Sequence, residues 1–233
     1  MSSNTILQVK QIHKKYNEGQ QNEVYVLKGI DFEIPPGEMT AIMGPSGCGK
    51  TTLLNLIGGL DHTSGGDILI EGNSIIAMPD SELTSFRRDN VGYIFQLFNL
   101  FEDQTSVENV SLPLLLQKVP TNEAIIRSEM VLAEVGLGDR FNELPANLSG
   151  GEQQKVAIAR TLVTSPRIIL ADEPTGDLDV STSDDIMSLF RRMQRENQGM
   201  AIIIVTHSRR IANQCDRIIR IEDGTVFTDE VVQ

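Results

Sequence analysis

Three features of the sequence predict an α/β fold with a mostly parallel sheet, an N-terminal antiparallel β subdomain and an inserted α-helical subdomain. The opening third alternates apolar and polar residues with a period of 2, a glycine-rich turn separates an apolar strand from a helical run, and the closing third sets two β-rich apolar runs around a helix. In the N-terminal stretch, Ile30, Phe32 and Ile34 fall on one face of an extended chain and Asp31 and Glu33 on the other, as in a half-exposed antiparallel sheet. Beyond Pro35-Pro36-Gly37, the run Met39 to Met43 reads as a strand and about Lys50 to Leu60 as a helix. Residues 97–164 carry helical patterns over Ser106 to Leu116 and Asn122 to Val135 with few strand signals, which predicts an inserted helical lobe. Arg167 to Ala171 and Ala201 to Thr206 then read as buried parallel strands joined by a helix from about Val180 to Asn197. The expected organisation is one domain over 1–233: residues 1–96 and 165–233 form the core with its antiparallel edge, and 97–164 the insert.

Composition narrows the function. The 32 acidic against 20 basic residues leave a net charge of −12, which argues against nucleic acid as a direct partner and against docking of the whole body on anionic lipid. No uncharged run approaches the roughly 18 apolar residues that a spanning helix needs. The start, Met-Ser-Ser-Asn-Thr, has neither a basic nor an apolar leader region, and the two cysteines, Cys48 and Cys215, form no disulfide framework. A cytoplasmic protein that meets a membrane only through a protein partner is expected.

The first chemical motif is Gly44-Pro45-Ser46-Gly47-Cys48-Gly49-Lys50-Thr51, which fits G-x-x-x-x-G-K-[ST] and lies between the predicted strand and helix. Its glycines let backbone N–H groups curl around phosphates, Lys50 reaches the β- and γ-phosphates, and the Thr51 hydroxyl is offered to Mg²⁺, with Thr52 following in the same nucleotide-binding turn. The core is therefore expected to be that of a P-loop NTPase. A second motif is the apolar strand Arg167 to Ala171 ending in Asp172-Glu173, two acids at the carboxyl edge where open α/β sheets bind ligands. Asp172 suits Mg²⁺ and Glu173 suits orienting and deprotonating a water that attacks the γ-phosphate. The third is Leu148-Ser149-Gly150-Gly151-Glu152-Gln153-Gln154, in which Ser149 and Glu152 make a capping box and the glycines expose the first N–H groups of a helix, an anion site.

These three motifs, in this order, resemble the ATP-binding subunit of ABC transporters, and the resemblance covers essentially the whole chain. It implies ATP and Mg²⁺ as cofactors and a homodimer formed on ATP, in which Ser149, Gly150 and Gly151 of one copy contact the γ-phosphate held by the other. It also implies a role for four isolated residues. Tyr16 is similar to the aromatic residue that stacks on adenine. Gln96, ending Val91-Gly92-Tyr93-Ile94-Phe95-Gln96, is similar to the glutamine that senses Mg²⁺ and the attacking water. Asp177, within Gly176-Asp177-Leu178-Asp179, stands in the loop along the dimer seam, and His207 is similar to the γ-phosphate switch histidine. The catalytic set so implied is Glu173, His207 and Gln96, and the metal set is Thr51, Gln96 and Asp172.

Within that family, Phe95 to Leu100, Val107 to Leu114 and Ala171 to Asp179 resemble the group of lipoprotein-releasing and macrolide-export ATPases. Such ATPases drive a separate transmembrane permease from the inner face of the cell membrane. Glu102-Asp103 departs from that group, which commonly has leucine and proline there. An importer subunit, or an ABC ATPase that regulates cell-envelope enzymes through a membrane partner, remain alternatives; a small-molecule kinase would leave the capping-box motif and His207 without a role.

Overall fold

The computed structural model describes residues 5–197 and 199–232, so Met1 to Asn4, part of the stretch read as lacking a leader, lie outside the described residues. A four-stranded antiparallel sheet has the order β2-β1-β4-β5, formed by β1 (Leu7–Tyr16), β2 (Val24–Ile34), β4 (Gly65–Ile70) and β5 (Asn73–Ser74). A six-stranded sheet has the order β10-β9-β3-β8-β7-β6, formed by β3 (Met39–Met43), β6 (Val91–Ile94), β7 (Ile168–Asp172), β8 (Ala201–Val205), β9 (Arg217–Glu222) and β10 (Thr225–Val231). All neighbouring strands of this sheet are parallel except the β9–β10 hairpin. The helices are α1 (Lys50–Ile57), α2 (Asp80–Asn90), α3 (Ser106–Leu116), α4 (Thr121–Glu134), α5 (Gly150–Leu162), α6 (Val180–Glu196) and α7 (Arg209–Ala212).

The larger sheet is apolar on both faces because both are covered. In β8, Ile202 and Ile204 point into one core with α3 to α6, while Ala201, Ile203 and Val205 point into the other with α1 and the antiparallel sheet. β7 divides in the same way, Ile169 and Ala171 against Ile168 and Leu170. Burial of each Ile, Leu or Val side chain among them contributes about 2 kcal/mol, which helps hold the parallel strands level. The smaller sheet is apolar on one face only: Ile30, Phe32 and Ile34 are buried while Asp31 and Glu33 are exposed, as their alternation predicts.

Most predicted elements agree with the structure within a residue or two at their ends, and residues 97–164 contain α3, α4, a 3-10 turn at Pro145–Asn147 and α5. Helix α1 stops at Ile57, short of the expected Leu60, because Gly58-Gly59 follows and Gly59 takes a left-handed φ of 62°. Helix α2, the β9–β10 hairpin and the short α7 are additional elements. Among the described residues no helix is long and apolar enough to cross a membrane.

Gly92 shows how tightly the helical segment is keyed to the sheet. It lies in β6, and a Cβ there would overlap the Thr161 methyl of α5 and come within 3.1 Å of Pro166 Cγ. Gly92→Ala is expected to lower stability by roughly 1–3 kcal/mol in urea unfolding through overpacking. Adding Thr161→Ser, which removes the obstructing methyl and keeps the hydroxyl, should restore most of the loss.

Candidate functional site

Strands β3, β8, β7 and β6 are parallel neighbours, and their register pairs Ile42 with Val205, Val205 with Asp172, and Ala171 with Ile94. Their carboxyl ends are therefore level along one edge, the place where an open α/β sheet binds ligands. Reading along this edge, β3 runs into the glycine-rich loop 44–49, β8 into Thr206-His207, β7 into Glu173 and β6 into Phe95-Gln96. Four segments that are distant in sequence become adjacent because the strands that carry them are adjacent.

The loop is shaped by close approaches. A Cβ at Gly44 would overlap the Ile221 carbonyl oxygen, so only glycine lets the chain pass there. Gly49, with φ of 100°, is the N-cap of α1 and offers no side-chain cap, and the first turn of α1 carries no acidic residue. The first N–H groups of this helix are thus left to a ligand, and its positive end favours an anion. Lys50 Nζ sits inside the loop, donating to the Gly44 and Pro45 carbonyls, each at 2.9 Å. Pro45, Ser46 and Gly47 are exposed, whereas the Cys48 side chain is buried, its Sγ 3.9 Å from Lys50 Nζ.

Beside the loop stand the two acids. Burial raises the Asp172 carboxyl above its ordinary value and the charge of Glu173 adds to the rise, while a hydrogen bond from Thr51 and the charge of Lys50 oppose it. This contact joins the Thr51 hydroxyl and the Asp172 carboxylate as a pair of oxygen donors, the type a hard cation such as Mg²⁺ takes. Among the described residues no three His, Cys, Asp or Glu side chains form a metal cage. Glu173 has a left-handed backbone, φ 47°, unusual for a residue with a side chain. Its N–H donates to Val205 O at 2.9 Å, its carbonyl accepts from Gly176 N at 3.0 Å, and its Oε1 lies 2.9 Å from Nδ1 of the exposed His207. Gln96 lies beside the same turn, its Nε2 4.0 Å from where a Cβ on Gly176 would be.

Ser149, Gly150 and Gly151 are not in this cluster. Ser149 caps α5 in a reciprocal box: its Oγ accepts from Glu152 N at 3.3 Å and Glu152 Oε2 accepts from Ser149 N at 2.9 Å. Arg140 Nε holds the other oxygen of Glu152 at 3.1 Å. A Cβ on Gly150 would be 3.6 Å from Leu178 Cδ2, and one on Gly151 would be 2.5 Å from Thr182 Cγ2, so the start of α5 leans on the start of α6 and on the exposed turn that carries Asp177. Tyr16 is in a third place, at the end of β1 opposite Val24, while Val26 two residues on in β2 packs on Gly49.

Two residues to which the sequence patterns gave no role connect these groups. Gln154 of α5, fully buried, donates from Nε2 to Pro174 O at 2.7 Å, next to Glu173. Arg160, further along α5, donates to the carbonyls of Phe98 at 3.0 Å and Asn99 at 2.7 Å, just beyond Gln96.

Comparison with known proteins supports the same reading. A family model described as ABC transporter matches residues 27–176. The chain is 42% identical over 225 residues to the lipoprotein-releasing system ATP-binding protein LolD of Geobacter metallireducens, covering 97% of this chain and 99% of that protein. It is 42% identical over 224 residues to the macrolide export ATP-binding/permease protein MacB of Aggregatibacter actinomycetemcomitans; that match covers 96% of this chain and 34% of the relative, so the chain spans about a third of it. Among solved structures, the dimeric post-hydrolysis state of the ATP-binding cassette MJ0796 bound to ADP and Pi superposes with a TM-score of 0.88 at 41% identity, covering 97% of this chain and 99% of that one.

The raised value at Asp172 has a consequence for stability. Its folded-state value lies above the unfolded one, so the ionised carboxylate costs stability above the folded value, and that cost fades as the pH falls through it toward the unfolded value. Asp172→Asn is therefore expected to melt higher than the parent at neutral pH without nucleotide, with the gap closing toward about pH 4. Scanning calorimetry over that range would check both the sign and the trend.

Proposed function

Since the chain belongs to the ABC transporter family, we propose that two copies of this ATPase subunit close on two Mg-ATP molecules, and that their closing and parting works a separate membrane permease. The observation that carries this reading is the split arrangement of the site. Lys50, Thr51, Asp172, Glu173 and His207 form one contiguous group at the sheet edge. The anion site at the start of α5 lies apart from that group, against Leu178 and Thr182. A phosphate-binding helix start set against Leu178 and Thr182, outside the group around the phosphate loop of its own chain, is supplied for a nucleotide held by another.

In this reading the loop 44–49 and Thr52 cradle the phosphates, and Lys50 exchanges the Gly44 and Pro45 carbonyls for the β- and γ-phosphate oxygens. Thr51, Asp172 and Gln96 would hold Mg²⁺, which when bound would neutralise charge on those phosphates. Glu173 accepts a proton from the water whose oxygen forms the new bond to the γ-phosphorus; the bond to the β–γ bridging oxygen breaks and ADP leaves. His207 orients Glu173 through the contact between them and contacts the γ-phosphate, and Tyr16 stacks on adenine. From the facing copy, Ser149, Gly150 and Gly151 bind the same γ-phosphate while Asp177 runs along the seam.

Charge-assisted hydrogen bonds to phosphate contribute about 1.5–3 kcal/mol each, enough in number to hold together two bodies that each carry −12. Loss of the γ-phosphate removes the link between the faces and shifts the pair to its open state. The helical segment 97–164 moves with that shift as a lobe of the core formed by 1–96 and 165–233. The similarity to LolD and MacB points to extrusion or release of a lipoprotein or drug-like cargo, with the ATPase held peripherally at the inner face of the membrane by its permease.

Glu173→Gln is expected to bind ATP, to lose turnover by roughly two to three orders of magnitude, and to elute as a dimer with Mg-ATP on size exclusion. Adding Ser149→Arg should return it to a monomer. A monomeric Glu173→Gln with full activity would refute the shared site.

A further inference from the structure

Tyr16 is the last residue of β1, an inner strand of the antiparallel sheet, and is 39% exposed there, where a tyrosine with nothing to hold it would sample several rotamers. Here it is held at two points. Its hydroxyl donates to Asp61 Oδ2 at 2.9 Å, and the Lys14 ammonium lies 4.6 Å from its ring centroid, over one face. Lys14 is itself buried, an uncommon position for an ammonium, and its charge is met by Asp61 Oδ1 at 2.7 Å and the His62 carbonyl at 2.7 Å. The His62 N–H completes the set, donating to Asp61 Oδ1 at 2.7 Å. Burial pushes the Asp61 carboxyl upward, but the donors Lys14, His62 N–H and Tyr16 outweigh it, so the group lies below its ordinary value and remains ionised at neutral pH.

The sequence position of Asp61 gives this cluster its meaning. It follows the Gly58-Gly59 turn at the end of α1, and α1 begins at Lys50 in the phosphate loop. A single short helix therefore connects the phosphate grip to the anchor of the aromatic ring. With Lys14 over the ring and the hydroxyl tied to Asp61, the ring is held in one orientation while the residue stays 39% exposed, open to a planar base.

We infer that Asp61, with Lys14, is the positioning residue that presets the Tyr16 ring for stacking on the base of ATP. The inference rests on the reading of Tyr16 as the adenine platform and adds to it the device that fixes the platform before nucleotide arrives. A ring already set in its binding rotamer loses less freedom on binding, so the effect is on affinity for the base and not on the phosphate grip.

The test compares ATP with inorganic tripolyphosphate, which has no base, by isothermal titration calorimetry of the full chain in magnesium-free buffer, so that no turnover intervenes. Tyr16→Phe, which keeps the ring and removes the tie, and Asp61→Ala are each expected to weaken ATP binding roughly fivefold, the loss of one net hydrogen bond, and Tyr16→Ala to weaken it further. Tripolyphosphate should bind all three variants as it binds the parent. If Tyr16→Ala weakens ATP but Tyr16→Phe does not, stacking stands and the positioning role falls. If Tyr16→Ala binds ATP like the parent, the platform reading falls and the inference with it. Equal weakening of both ligands by Asp61→Ala would make Asp61 a mere staple between β1 and α1. Should Asp61→Ala fail to fold, Tyr16→Phe, which leaves the Lys14–Asp61 pair intact, decides alone.

Discussion

A parallel sheet buried on both faces has only its edges left for chemistry, and everything in this molecule follows from that constraint. Helices cover the faces, crossovers return each strand in the same direction, and the carboxyl ends of β3, β8, β7 and β6 come out level. The isoleucines of β8 thus bear at a distance on the residues proposed for catalysis. They set the height at which Glu173 meets His207, and a strand slipped by one residue would exchange the side chains of its two faces.

The sheet edge alone would make a nucleotide-binding surface. In addition, α5 is anchored near both ends to segments that leave this edge. Near its start, Gln154 grips Pro174 in the turn after β7; near its end, Arg160 grips the Phe98 and Asn99 carbonyls in the segment after β6. Gly92 lets α5 press directly on β6. The acid-bearing turn and the glutamine-bearing segment are therefore both tied to the helix whose first residues are the proposed second anion site. Coupling of this kind needs no long pathway, because a single rigid helix spans it.

The legibility of this molecule in its sequence varies with the range of the interaction. Met39 to Met43, Ser106 to Leu116 and the helix from Val180 were readable because an apolar face or a capping residue marks each one. Helix α2 was not, since none of its residues is fully buried and only the pair Leu83 and Phe86 marks its inner face. The β9–β10 hairpin did carry a local signal, Asp223-Gly224 with φ of 47° and 79°, the pattern of a tight hairpin turn, flanked by apolar residues. The phosphate loop, the acid pair and the capping box are contiguous in sequence and so announce themselves. Gln154, Arg160 and Asp61 act on partners 20, 62 and 45 positions away, and only folding brings those pairs together.

The capping box at the start of α5 also has a stoichiometric implication. A serine hydroxyl carries one proton, and that of Ser149 is directed at Glu152 Oε2, 2.8 Å away. An arriving phosphate oxygen would compete for that proton with a carboxylate already in place, so engagement requires the hydroxyl to rotate from one acceptor to the other. Glu152 would keep the Ser149 backbone N–H and the guanidinium of Arg140, and the helix would stay closed at its first turn while its cap changed allegiance. In the proposed shared site, recognition at this face would be an exchange between two anions over one hydrogen, reversible without unwinding a residue.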